Sequence, residues 1–294
     1  MFEAFSRSWE ITKLSFDVIK KDRELLLFPL LAAIFSLIFS LAMLFPTVIA
    51  LILKGIGPEA YGILEYVVIF LTYLGLAVIA TFFNVCVVYT TKRRFEGGNA
   101  TFGESIRFGL SKIHLILAWG LVSATVGLIL RVIDSMAERA GKVGYILLKI
   151  TAFILGMAWS IVTIFVVPGM VYHNLGPFEA IKRSAETLKK TWGENLFRYF
   201  GLGLAQLVFV VLGLIGAFIL FFALGGLGAA GMIAAIAIAI LYFLAVGLIF
   251  SAANTIFSTA LYAYADTGKL PEGYSEEIVK NAFRRRSGLV TGVV

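Results

Sequence analysis

The chain has 294 residues, of which 60% are hydrophobic and 15% charged, with a formal net charge of +7. A soluble domain carries about 45–50% apolar and about 25% charged residues, so this composition, with a mean hydropathy of +0.94, excludes an ordinary soluble protein. It also excludes a disordered chain, which needs low hydrophobicity and high charge. One cysteine, Cys86, and two histidines, His114 and His173, allow no intrachain disulfide and too few ligands for a structural zinc site of four Cys or His. No metal or other cofactor is implied. The single glutamine, Gln206, and the lone cysteine show the scarcity of thermolabile side chains found in thermophiles.

About 20 apolar residues cross about 30 Å of hydrocarbon as a helix. Six stretches qualify, over residues 25–53, 66–90, 113–130, 145–172, 196–224 and 232–262. The first 24 residues are rich in charge and the apolar run after them is long enough to span, so the start reads as a first span and not as a cleavable signal peptide. Residues 1–24, the segments after the second and fourth spans, and the tail from 269 hold 20 of the 25 Lys and Arg residues. The opposite side has Lys54, Arg131, Arg139, Lys142 and Lys149. The positive-inside rule then predicts a multi-pass cell-membrane protein with both termini cytoplasmic. The expected fold is all-α and polytopic, with a membrane domain over 1–266 and a short basic cytoplasmic tail over 267–294. Basic flanks facing anionic lipid headgroups account for the positive charge without nucleic acid.

Three segments on the predicted cytoplasmic side read alike: Phe2-Glu3-Ala4-Phe5-Ser6-Arg7-Ser8, Phe102-Gly103-Glu104-Ser105-Ile106-Arg107-Phe108 and Phe178-Glu179-Ala180-Ile181-Lys182-Arg183-Ser184. All three start with Phe and carry Arg five residues later. In the third, Phe178, Ile181, Ala185, Leu188 and Trp192 repeat at helical spacing. In the first, Phe2, Phe5, Trp9 and Phe16 do the same. Thr101 with Glu104 has the pattern of a capping box, and Pro177 suits a first helical turn. Each amphipathic helix precedes two spans, which gives three parallel repeats over about 1–91, 92–173 and 174–266. Phe2, Trp9, Phe102, Phe178 and Trp192 are the expected interfacial anchors. Arg7, Arg107, Arg183, Arg284, Arg285 and Arg286 are the expected headgroup contacts.

Pro168, Gly176, Pro177, Ala180, Ile181, Arg183 and Ser184 form a pattern of Pro ending a span, then Gly, then Ala-Ile-x-Arg-Ser opening a helix. This resembles a group of poorly characterised prokaryotic multi-span membrane proteins, related to the membrane domain fused to some glycerophosphodiester phosphodiesterases. Many relatives have an acidic residue shortly after the Pro, where this chain reads Tyr172-His173-Asn174. No phosphodiesterase catalytic domain is present, so the resemblance implies a membrane fold and no activity.

Inside the predicted spans ionisable residues are nearly absent, which argues against proton relays, ion-coupled pumps and voltage sensors. Asn84, Thr163 and Asn254 lie in spans two, four and six at similar depth, and the repeat predicts that they form one polar layer around a common axis. Interhelical hydrogen bonding is the plainer role for them. Gly and Ala are dense over 201–247, the pattern of close helix packing or of a homo-oligomer contact. No phosphate-binding Gly-rich loop, His-Glu-x-x-His or Gly-x-Ser-x-Gly motif is present. The sequence thus points to a non-enzymatic scaffold or lipid-organising component. A channel along the pseudo-axis is the alternative, and a lipid-modifying enzyme comes third.

Overall fold

The computed structural model of the chain describes residues 2–54, 63–192 and 203–268. Among them all regular structure is helical. The elements in chain order are α1 (Phe2–Lys21), a 3-10 turn (Arg23–Leu26), α2 (Leu27–Lys54), α3 (Ile63–Phe95), α4 (Phe102–Ser111), α5 (Ile113–Arg139), α6 (Lys142–Val162), α7 (Val166–His173), α8 (Pro177–Trp192), α9 (Gly203–Gly225) and α10 (Ala229–Thr267). Six of the helical runs are long and apolar enough to cross a membrane, with α6 and α7 together making the fourth. The chain is therefore a multi-pass membrane protein.

Three differences from the sequence reading of the spans bear on the fold. The third span continues to Arg139 and turns through Ala140 and Gly141 into α6, so the hairpin carries Arg131, Asp134 and Lys149 on its helices. Lys149 Nζ meets Asp134 Oδ1 at 2.9 Å across that hairpin. The fourth is not one helix: it breaks between Val162 and Val166. Pro168 has no N–H, and its ring crowds the carbonyl four residues earlier, at Ile164. The sixth starts at Ala229, and its 39 residues reach about 58 Å at about 1.5 Å per residue, well beyond the hydrocarbon. Gly228 permits the tight turn before it by adopting φ +74°.

The chain divides into two compact units, Leu27–Glu186 and Met1–Leu26 with Thr187–Val294. In the first, the core gathers Val85 and Val88 of α3, Leu115, Ile116 and Trp119 of α5, Val166 and Met170 of α7, and Ala180 of α8. Trp119 and Trp159 stack with ring centroids 5.7 Å apart. In the second, α1 packs along α10. Phe16 meets Phe250 edge-on at 5.7 Å, and Trp9 stacks on Phe209 at 6.4 Å. Burial concentrates toward the basic-flanked ends of α3, α7 and α10. The far ends stay open, as at Ile63 (85% exposed) and Val143 (73%). That is the distribution expected when the far segments meet lipid tails, which are as apolar as the side chains themselves.

Close helix approach is made by single glycines. A Cβ at Gly75 would run into the Phe39 ring, and one at Gly213 into Tyr242. At Gly120 it would stand 2.5 Å from Val78 Cγ2, with the Val78 backbone N at 3.5 Å. Val is stiff at χ1 and cannot swing away. Gly120→Ala is therefore expected to lower stability by about 1–3 kcal/mol through overpacking. Gly127→Ala on the same helix meets nothing within 4 Å and should be neutral or mildly stabilising. Melting of the detergent-solubilised variants checks the contrast.

Candidate functional site

The short helices attach to the ends of spans through small buried hydroxyls. On α4, Ser105 is fully buried. Its Oγ lies 2.7 Å from Thr90 Oγ1 on α3, and its carbonyl accepts from the Cys86 thiol at 3.4 Å. Phe102 stacks on Phe28 at 5.2 Å, and Phe108 stacks on Tyr89 at 4.2 Å. On α8, Ala180 and Ser184 are fully buried. On α1, Thr12 and Ser15 are buried in the same way. Ser and Thr are small enough for a helix backbone to approach another closely, and Ser105 and Ser184 each add a hydrogen bond to the span.

The start of α4 is fixed by a complete capping box. The Glu104 N–H donates to Thr101 Oγ1 at 3.3 Å, and the Thr101 N–H donates to Glu104 Oε2 at 2.8 Å. The Thr101 hydroxyl donates to the same oxygen at 3.1 Å. These donors, the backbone N–H first, hold the exposed Glu104 carboxyl below the usual carboxylate range.

The break in span four is closed by α8. Thr163 turns its hydroxyl back onto the Trp159 carbonyl at 2.8 Å. The Phe165 N–H, at the fully buried Phe165, donates to Ser184 Oγ at 3.2 Å. Backbone groups freed inside a membrane must find such partners. Farther along, Asn174 ends α7 with φ +55°, a left-handed cap that Asn tolerates better than most residues. Its Oδ1 accepts from Lys112 Nζ at 2.6 Å, and Lys92 Nζ sits 4.6 Å from the Tyr172 ring centroid. Beside this corner a recess of about 490 Å³ is lined by His173, Leu175, Glu179, Lys182, Arg183 and Glu186.

The residues singled out by sequence distribute unevenly. Asn84 and Thr163 are half-buried in the unit Leu27–Glu186, whereas Asn254 is exposed on α10 in the other unit. Thr163 serves the helix break. Phe102 is half-buried in its stack, Trp9 is 37% exposed and Phe178 is 76% exposed. Phe178 lies outside the buried stripe of α8, which runs through Ala180, Ser184 and Leu188 and not through the largest side chains. Arg107 and Arg183 are exposed. The side chains of Phe2, Arg7 and Trp192, and the whole of Arg284, Arg285 and Arg286, lie outside the described residues. Of the Gly/Ala-rich segment 201–247, Gly213 is filled by Tyr242, while Gly216 and Gly247 have open space beside them. Sequence reading quoted Ser105 and Ser184 within its repeated segments, and Ser184 in the Ala-Ile-x-Arg-Ser pattern, but gave neither a role.

Residues 63–272, from the start of α3 to just past the end of α10, match the model of the family of unknown function DUF6159. The chain belongs to that family. No curated protein matches it significantly. The matched region holds α4, α8, the span-four break and the recess, while α1 and Phe28 precede it.

Ser184→Ala strands the buried Phe165 N–H and is expected to cost about 1–3 kcal/mol. Ser184→Thr keeps an oxygen and should lose less; comparison of the two melting temperatures is the check. The capping box makes a second prediction. The Glu104 carboxyl is held low when folded, so its contribution is present above the unfolded value of about 4.3 and is lost as pH falls through the lower folded value. Amide exchange in the first turn of α4, corrected for intrinsic rate, should loosen toward pH 3. Glu104→Gln should flatten that dependence.

Proposed function

We propose that this protein is a non-enzymatic membrane scaffold that organises lipid at the cytoplasmic face of the cell membrane. In this reading both termini are cytoplasmic and the six spans form three parallel units. Each unit is an interfacial helix followed by two spans: α1 with α2 and α3, α4 with α5 and α6–α7, α8 with α9 and α10.

The observation that carries the reading is how the short helices dock. The basic-flanked end of an even-numbered span receives one each time: α4 lies on α3, α8 meets the end of span four at Phe165, and α1 lies on α10. α1 packs on α10, far from it in sequence. That is where a repeat of this kind would seat it. The outward faces carry Lys13, Arg107, Lys182, Arg183, Lys189 and Lys190, all exposed, a pattern suited to anionic headgroups. Apolar Phe178 beside them suits the acyl boundary.

The channel reading receives less support. Many hydroxyls in the spans are turned back onto their own helix, as at Thr72 to Val68, Thr125 to Leu121, Ser160 to Gly156 and Thr259 to Thr255. A hydroxyl bonded in this way contributes to local helix geometry and is a weak lining for an aqueous path.

Two measurements test the proposal. A Cys placed at Gly141 should be labelled from outside the cell and one at Gly98 should not; the reverse pattern overturns the orientation. In proteoliposomes the protein should retain bound phospholipid and pass no small solute faster than empty vesicles. Arg107→Gln with Arg183→Gln should lower the lipid retained. Solute flux that disappears in Asn84→Leu with Asn254→Leu would replace the scaffold reading by the channel.

A further inference from the structure

The recess between the end of α7 and the start of α8 has a charge pattern of its own. Glu179, Lys182, Arg183 and Glu186 fall at offsets 0, 3, 4 and 7 along α8, which places all four on one helical face. The opposite face is the buried one, carrying Ala180, Ser184 and Leu188. His173 closes the recess from the α7 side, and Leu175 gives it an apolar wall. The position of the backbone here is well determined by its contacts: Asn174 is held by Lys112 at 2.6 Å, and Ser184 holds the Phe165 N–H. The four charged side chains are thus displayed from a fixed corner.

We propose that this recess binds a phosphodiester lipid headgroup that carries a primary ammonium, of the phosphoethanolamine type. The proposal rests on the reading above that α8 lies in the membrane interface, which puts the recess at headgroup level. The two cations and two carboxylates give the lining no formal net charge with His173 neutral, the balance that suits a zwitterion. Arg183 and Lys182 offer donors to the phosphate, Arg with the fork geometry that matches it. Glu179 and Glu186 accept from the ammonium. A purely anionic headgroup would meet the same phosphate donors and also two carboxylates that repel it. A trimethylated headgroup has no N–H to donate, so it leaves both carboxylates without that bond. The recess, of about 490 Å³, is open to the outside, as a site for the headgroup of a lipid held in the bilayer must be. Leu175, the apolar residue of the lining, suits the glycerol and first acyl carbons.

Native mass spectrometry of the purified full-length protein, supplied with phosphatidylethanolamine, phosphatidylcholine or phosphatidylglycerol of identical acyl chains, tests this. The ethanolamine lipid should be retained about fivefold better than either of the others, the equivalent of one ordinary net hydrogen bond. Glu179→Gln with Glu186→Gln should bring that ratio close to one and should raise retention of phosphatidylglycerol. Lys182→Gln with Arg183→Gln should lower retention of all three. All four side chains are exposed, so unchanged melting accompanies each variant; Glu186→Gln alone is the milder substitute should a double variant melt early. Phosphatidylglycerol held as well as phosphatidylethanolamine, or a preference that survives the loss of both carboxylates, overturns the zwitterion site and leaves the lipid-organising reading standing. A wild-type protein that retains none of the three overturns both.

Discussion

Within hydrocarbon, burying a leucine against another helix gains no hydrophobic free energy, because lipid tails are as apolar as the side chain. Where the spans emerge toward water that gain returns, at about 25 cal/mol per Å² of apolar surface removed from it. The structure follows this difference. Ile116, Val166, Met170, Ile256, Phe257 and Leu261 are nearly or fully buried and belong to the basic-flanked parts of α5, α7 and α10. The opposite halves of the same spans expose large aliphatic side chains. The short helices α1, α4 and α8 are the elements that cover those ends, and the arrangement of the spans there depends on them.

A second constraint is the accounting of backbone hydrogen bonds. A helix broken inside a membrane must pair every group it releases. Pro168 forces the break in span four, and a residue from outside the span, Ser184 of α8, takes up the Phe165 N–H. The short helix is therefore part of the span's own hydrogen bonding and more than a surface ornament. Thr90 and Ser105 join α3 and α4 in the same chemical way, with hydroxyls small enough to let the backbones approach.

These two constraints bear on function together. The recess and the buried hydroxyls of α4 and α8 lie where the short helices meet spans. The spans themselves carry hydroxyls bonded to their own carbonyls and side chains that suit lipid. In the proposed reading, recognition belongs to the membrane surface and packing to the membrane interior. It also explains why α8 carries two faces with distinct work: Ala180 and Ser184 hold the span, while Glu179, Lys182, Arg183 and Glu186 face away from it.

The six spans, the all-helical class and the capping box of Thr101 and Glu104 were legible in the sequence, because each rests on local physics: apolar length against bilayer thickness, and a hydrogen bond three residues long. The repair of the break in span four was not, since Ser184 lies 19 residues from Phe165 and nothing in a linear pattern pairs a serine with one particular N–H. The amphipathic face of α8 read from its large apolar residues gave Phe178 a role alongside Leu188. The fold instead buries the small residues and leaves Phe178 exposed, because close helix approach favours small side chains and lipid accepts a large one. The assignment of Thr163 to a shared polar layer came from its depth along the span, which the sequence supplies. Where its hydroxyl turns, here back onto the Trp159 carbonyl, is a rotamer choice that depth does not fix and only the folded structure shows.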